Sequence, residues 1–204
     1  MTSRLRARAG AVRVGAAALL VALALSGCAE DPQLGDYNDG SGKNYVGSGG
    51  AVLEIDRGSR AEPVEWEGVL DNGEVISSTD TLGQVSVLNF WYAACAPCRA
   101  EAPDFESLHQ EFADQSVAFL GVNLRDQSAT AIAFADEFGV TYPSVIDAND
   151  ANVQLAYAST VPAKSVPTTL VLDREGRVAA RILGRLATTS ILESIIRDTI
   201  AEAD

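Results

Sequence analysis

The tetrapeptide Cys95-Ala96-Pro97-Cys98 carries the clearest chemical potential in this sequence. Two thiols with two residues between them serve either as a redox pair that opens and closes a disulfide or as half of a metal site. A metal site would need further ligands, such as a second C-x-x-C or histidines at suitable spacing. The chain has one histidine, His109, eleven residues past Cys98. On a helix that places it about 16 Å further along, and it reads as a helix-surface residue. No metal is therefore expected, and thiol–disulfide chemistry is.

The surrounding sequence supplies the elements that must position these sulfurs. Residues 85–92 are a run of β-branched and aromatic side chains without polar alternation, which predicts a strand buried on both faces and central in its sheet. Residues 96–113 place Ala102, Phe105, Leu108 and Phe112 on one helical stripe. Cys95 then stands at a helix N-terminus beside unpaired backbone N–H groups, a position that stabilises thiolate. Cys95 is expected to attack and to be the more exposed of the two, and Cys98 to resolve. Their separation along the helix makes the disulfide geometrically reachable.

Elsewhere the Asn72-Gly73 pair between two short apolar stretches predicts a hairpin over residues 66–76. Strands are expected at 117–123, 143–146, 168–173 and 178–183, and helices at 128–138, 151–158 and 188–201. This alternation belongs to an α/β domain.

Residues 1–27 stand apart. Arg4, Arg6, Arg8 and Arg13 precede or open an apolar run from Val14 to Leu25, too short to span a bilayer, and the pattern is that of an export signal. It ends in Leu25-Ser26-Gly27-Cys28, which resembles the bacterial lipobox. The resemblance implies cleavage before Cys28, a lipid on its sulfur, and a protein held at the outer face of the cytoplasmic membrane by that anchor alone. Residues 28–60, rich in Gly, Asn, Asp and Ser at their start, read as a flexible spacer, with the folded domain over 61–204. Loss of the signal leaves 11 Lys and Arg against 28 Asp and Glu, which excludes nucleic acid as an expected partner.

Residues 89–103, Asn-Phe-Trp-Tyr-Ala-Ala-Cys-Ala-Pro-Cys-Arg-Ala-Glu-Ala-Pro, resemble the active-site stretch of the TlpA/ResA branch of thioredoxin-like proteins. Ser165-Val166-Pro167-Thr168-Thr169, Gly176-Arg177-Val178 and Arg181-Ile182-Leu183-Gly184 extend the resemblance, in family order, over residues 62–203. It implies a thioredoxin-like three-layer sandwich with a mixed central sheet, an N-terminal β-hairpin and an inserted β/α element within 126–163. It also implies a cis Val166-Pro167 bond facing the cysteines, with Val166 backbone groups offered to a substrate strand, and a proton-exchanging role for Glu101.

No cofactor is implied. The implied partners are a membrane thiol carrier as electron donor and a disulfide-bearing protein substrate, for example apocytochrome c. The implied activity is protein-disulfide reduction outside the cytoplasm, and a disulfide-forming oxidant or isomerase is the alternative. Peroxidases of this superfamily use a Pro-x-x-x-Thr-x-x-Cys setting, and copper-carrying relatives a wider cysteine pair with a distant histidine; neither pattern occurs here. One departure stands out: the family usually carries Trp before the first cysteine, and here Ala94 takes that place.

Overall fold

The apolar periodicities resolve into alternating strands and helices. In chain order these are β1 (Val46–Gly47), β2 (Gly50–Glu54), β3 (Glu67–Val69), β4 (Val75–Ser77), β5 (Val85–Trp91), α1 (Ala96–Phe112), β6 (Val117–Asn123), α2 (Ser128–Phe138), β7 (Ser144–Ile146), α3 (Asn152–Ala156), β8 (Thr168–Leu172), β9 (Val178–Leu183) and α4 (Thr189–Ala201). The computed structural model describes residues 46–47, 50–162 and 164–202, all within the unit Lys43–Asp204. The expected export signal, Cys28 and the first part of the expected spacer lie outside the described residues.

The sheet runs β1-β2-β9-β8-β5-β6-β7, with β5-β6 and β6-β7 parallel and the other pairs antiparallel. Every residue of β5 is buried. Strand alternation sends Val85, Val87, Asn89 and Trp91 to one face and Leu88 and Phe90 to the other. The first face packs on α1 and α4 through Phe105, Leu108, Phe112, Leu192 and Ile196. The second packs on the β3-β4 hairpin and α3 through Trp66, Leu70, Val153 and Tyr157. The result is the expected three-layer α/β sandwich with a mixed sheet. The hairpin forms its own two-stranded sheet, turned at Gly73 with φ +90°, a conformation that favours glycine.

The sheet begins earlier than composition suggested. Val52, Leu53 and Glu54 of β2 pair with Ile182, Arg181 and Ala180 of β9, and Val52 is buried, so the last part of the expected spacer belongs to the fold. The Gly and Ser around it mask a short apolar run, Val52-Leu53-Glu54-Ile55, that the open edge of β9 can pair with.

Arg60 fastens this N-terminal segment. Its side chain is 2% exposed, donating to Ile55 O at 3.0 Å, Asp173 Oδ2 at 3.0 Å and Glu202 Oε1 at 2.8 Å. It thereby joins the lead-in to β3, the end of β8 and the end of α4. Arg60→Ala is expected to destabilise the fold by about 2–3 kcal/mol, because charged hydrogen bonds are lost inside the protein. A urea titration checks this as a lower midpoint with unchanged slope.

Candidate active site

The cysteines are placed by the end of β5 and the start of α1. Tyr92, Ala93 and Ala94 form the connection, turned by a bond from Cys95 N to Tyr92 O at 3.1 Å. This loop is latched to the end of β6: Leu124 N donates to Trp91 O at 3.0 Å, and Ala93 N donates to Asp126 Oδ2 at 2.6 Å. Asn123 holds Asp126 in place, its amide donating to Asp126 Oδ2 at 3.0 Å. The Arg125 guanidinium lies 4.0 Å from the Tyr92 ring centroid.

Cys95 is the N-cap of α1, and its Sγ accepts from Cys98 N at 3.2 Å. Pro97 sits in the first turn, where its missing N–H costs nothing. Cys95 and Cys98 are joined by a disulfide, S–S 2.01 Å, with Cα atoms 5.2 Å apart. The expectation that Cys95 is the more exposed is corrected in this oxidised form: both residues are 3% exposed. The reason is packing, since Tyr92, Ala93 and Val166 close over the cluster that holds both cysteines.

Glu101 lies one turn past Cys98 and is 2% exposed. Its Oε1 accepts from Asn89 Nδ2 at 3.2 Å and its Oε2 from Leu186 N at 3.1 Å. It shares a cavity of about 10 Å³ with Cys98, Asn89, Trp91, Tyr142 and Ser144, roughly the room one water molecule needs. A Cβ on Gly121 would collide with Ser144 Oγ and come within 2.7 Å of Trp91 Nε1, so only glycine there leaves the cavity its shape.

Burial pushes the Glu101 carboxyl up to about 7, with a smaller push from Asp104. The Leu186 N–H, the Asn89 amide and the Arg185 charge pull the other way and do not win. A carboxyl tuned this way can both take and give a proton near neutral pH.

The Val166-Pro167 bond is cis, as the resemblance implied. Pro167 O accepts from Gly184 N at 2.8 Å, and Val166 packs against the cysteine cluster. Among the described residues, the Val166 N–H and carbonyl take part in no backbone hydrogen bond. Thus Cys95, Cys98, Glu101, Val166 and Pro167, scattered over more than seventy positions, meet around one center. Cys28 lies outside the described residues.

His109 is not the surface residue expected. It is half-buried, edge-on to Phe119 and Tyr142 at 5.4 and 5.6 Å between ring centroids, because α1 turns that face onto β6. Among the described residues no group of three or more His, Cys, Asp and Glu is placed to hold a metal. Sequence reasoning missed Asn89, Asp126 and the Leu186 N–H. Asn89 had a signal, as the lone amide inside an apolar strand.

The AhpC/TSA family matches residues 58–181. Thiol-disulfide oxidoreductase ResA of Geobacillus thermodenitrificans is 37% identical over 120 residues, covering 57% of this chain and 66% of that protein. ResA of Bacillus subtilis is 32% identical over 127 residues, covering 62% and 65%. The match thus spans just under two thirds of these relatives' length. Among solved structures, a DsbF homologue from Corynebacterium diphtheriae superposes with TM-score 0.65 and 32% identity over 78% of this chain and 99% of that one. A secreted thiol-disulfide isomerase from Corynebacterium glutamicum gives TM-score 0.68 and 29% identity over 79% and 99%.

A carboxyl raised from 4.5 to about 7 by folding favours the folded state in its protonated form. That contribution is complete below pH 4.5 and is lost as pH rises through about 7. Glu101→Gln cannot ionise, so the variant should gain on the wild type between about pH 4.5 and 8, by up to about 3 kcal/mol. Urea midpoints of both proteins across that range test this, and a pH-independent difference would contradict the raised value.

Proposed function

The chain belongs to the AhpC/TSA family, and we propose that it is a thiol–disulfide oxidoreductase that reduces disulfides of other proteins outside the cytoplasm. The observation that carries this reading is the Cys95–Cys98 disulfide at the start of α1, with the buried Glu101 carboxyl in the same cavity as Cys98. The names of the ResA relatives support the reaction class.

In the reduced protein, Cys95 is the residue whose sulfur faces the N–H groups at the start of α1, and those donors favour its thiolate. The thiolate attacks one sulfur of a partner disulfide. That S–S bond breaks, a mixed disulfide forms, and the first partner thiolate leaves and takes a proton from solvent. Glu101, as carboxylate, accepts the Cys98 proton, and the Cys98 thiolate attacks Cys95 Sγ. The second partner thiolate departs and is protonated in turn. Two electrons have moved to the partner, which is now a dithiol, and Cys95–Cys98 is a disulfide. A dithiol donor returns it to the reduced form.

During the mixed-disulfide stage the backbone of Val166, next to cis-Pro167, pairs with the partner chain as a short strand. In this reading the signal over 1–27 exports the protein and the lipid on Cys28 tethers it to the outer face of the membrane. A membrane thiol carrier is the donor, and haem-attachment cysteines of apocytochrome c are a fitting substrate. Oxidation or isomerisation is the second reading, favoured by the likeness to the Corynebacterium glutamicum isomerase.

Two measurements test the proposal. Cys98→Ala should accumulate mixed disulfides through Cys95, visible on non-reducing gels and absent from Cys95→Ala. The reduction potential, set against glutathione or dithiothreitol buffers, should fall near or below about −250 mV for a reductant, whereas a value near about −120 mV would favour the oxidant.

A further inference from the structure

The chain is acidic, with 15 Lys and Arg against 28 Asp and Glu. Among the described residues Arg57, Arg60, Arg99, Arg177 and Arg197 are committed to ion pairs. Three exposed cations without such a pair lie in three separate loops, each tied to the cysteine site through a neighbouring residue. Arg125 follows β6 and stacks on Tyr92, which packs against the cysteine cluster. Lys164 precedes Val166, which packs on the same cluster. Arg185 lies between Gly184, bonded to Pro167 O, and Leu186, bonded to Glu101.

Two carboxylates nearby offset these three cations only in part. Glu137 is paired with Arg99 at 2.7 Å, and Asp126 is turned inward to the Ala93 N–H and the Asn123 amide. We propose that Arg125, Lys164 and Arg185 form a positive rim around Cys95 that selects protein disulfides flanked by carboxylate side chains. The proposal rests on the oxidoreductase reading above and names the partner chemistry for that same site.

The physical basis is a local inversion of sign. An acidic segment is repelled by most of this surface and attracted where the reacting sulfur lies, which raises the productive encounter rate. The cations come from three loops whose backbones the fold positions. Stacking on Tyr92 holds the Arg125 charge in place without neutralising it.

The test uses the full chain, reduced, and two synthetic peptides with the same intramolecular disulfide, one flanked by Glu and one by Lys. At low ionic strength, about 20 mM, the Glu peptide should be reduced at least about tenfold faster than the Lys peptide. At about 0.5 M salt the ratio should fall toward one, since charges further apart than a few ångströms are then screened. Arg125→Glu, Lys164→Glu and Arg185→Glu should each lower the ratio at low salt, and together reverse it. A neutral disulfide, 2-hydroxyethyl disulfide, separates the effect of the rim from the oxidoreductase activity itself. If it is reduced while the wild type treats both peptides alike at low salt, the rim is overturned and the oxidoreductase reading stands. If it is not reduced at all, the oxidoreductase reading fails and the rim with it.

Discussion

A carboxyl group loses strong hydration when it leaves water, and Glu101 is almost wholly buried. Much of the fold around the cysteines is arranged to make that tolerable. Asn89 interrupts an apolar strand to donate from β5, and Thr169 of β8 accepts from the same amide at 3.3 Å. The loop between β9 and α4 brings the Leu186 N–H from the far end of the chain. Helix α1 must therefore sit over β5 with one rotation, and that rotation also fixes where Cys98 points. Shifting any of the three leaves a buried charge or a buried donor unsatisfied, which costs more than the hydrogen bond itself contributes.

The two sulfurs consequently live under opposite influences. Cys95 caps a helix N-terminus, where unpaired N–H groups favour negative charge. Cys98 adjoins a cavity whose acid holds its proton up to about pH 7. In the proposed mechanism that difference makes Cys95 the entering nucleophile and Cys98 the proton-coupled resolving thiol. In the disulfide form the pair packs against Tyr92, Ala93 and Val166.

The elements were legible in the sequence because each is written locally: the unbroken apolar run of β5, the stripe Ala102-Phe105-Leu108-Phe112 of α1, the Asn72-Gly73 turn. The cysteine pair and cis-Pro167 were legible because their neighbours spell a family pattern. What was not legible is held by contacts distant in sequence. Val52 looks like part of a Gly-rich spacer until β9 supplies an edge to pair with. Arg60 gives no sign that Asp173 and Glu202 await it. His109 reads as a surface residue until β6 and Tyr142 close over it. Asp126 reads as a loop acid until the end of β5 is laid beside it.

The β3-β4 hairpin does more than cover one face of the sheet. Leu70, at its turn, forms an antiparallel bridge with Val145 of β7, and Asp71 N donates to Ser144 O at 2.8 Å. β7 is the outermost strand on that side, so these contacts occupy backbone groups that would otherwise face solvent as an unpaired ladder. An unpaired ladder is a template for another chain. With part of that edge occupied, an extended chain finds less free ladder on the β7 side of the sheet. The hairpin thus blunts edge-to-edge pairing with other chains along the β7 side of the sheet.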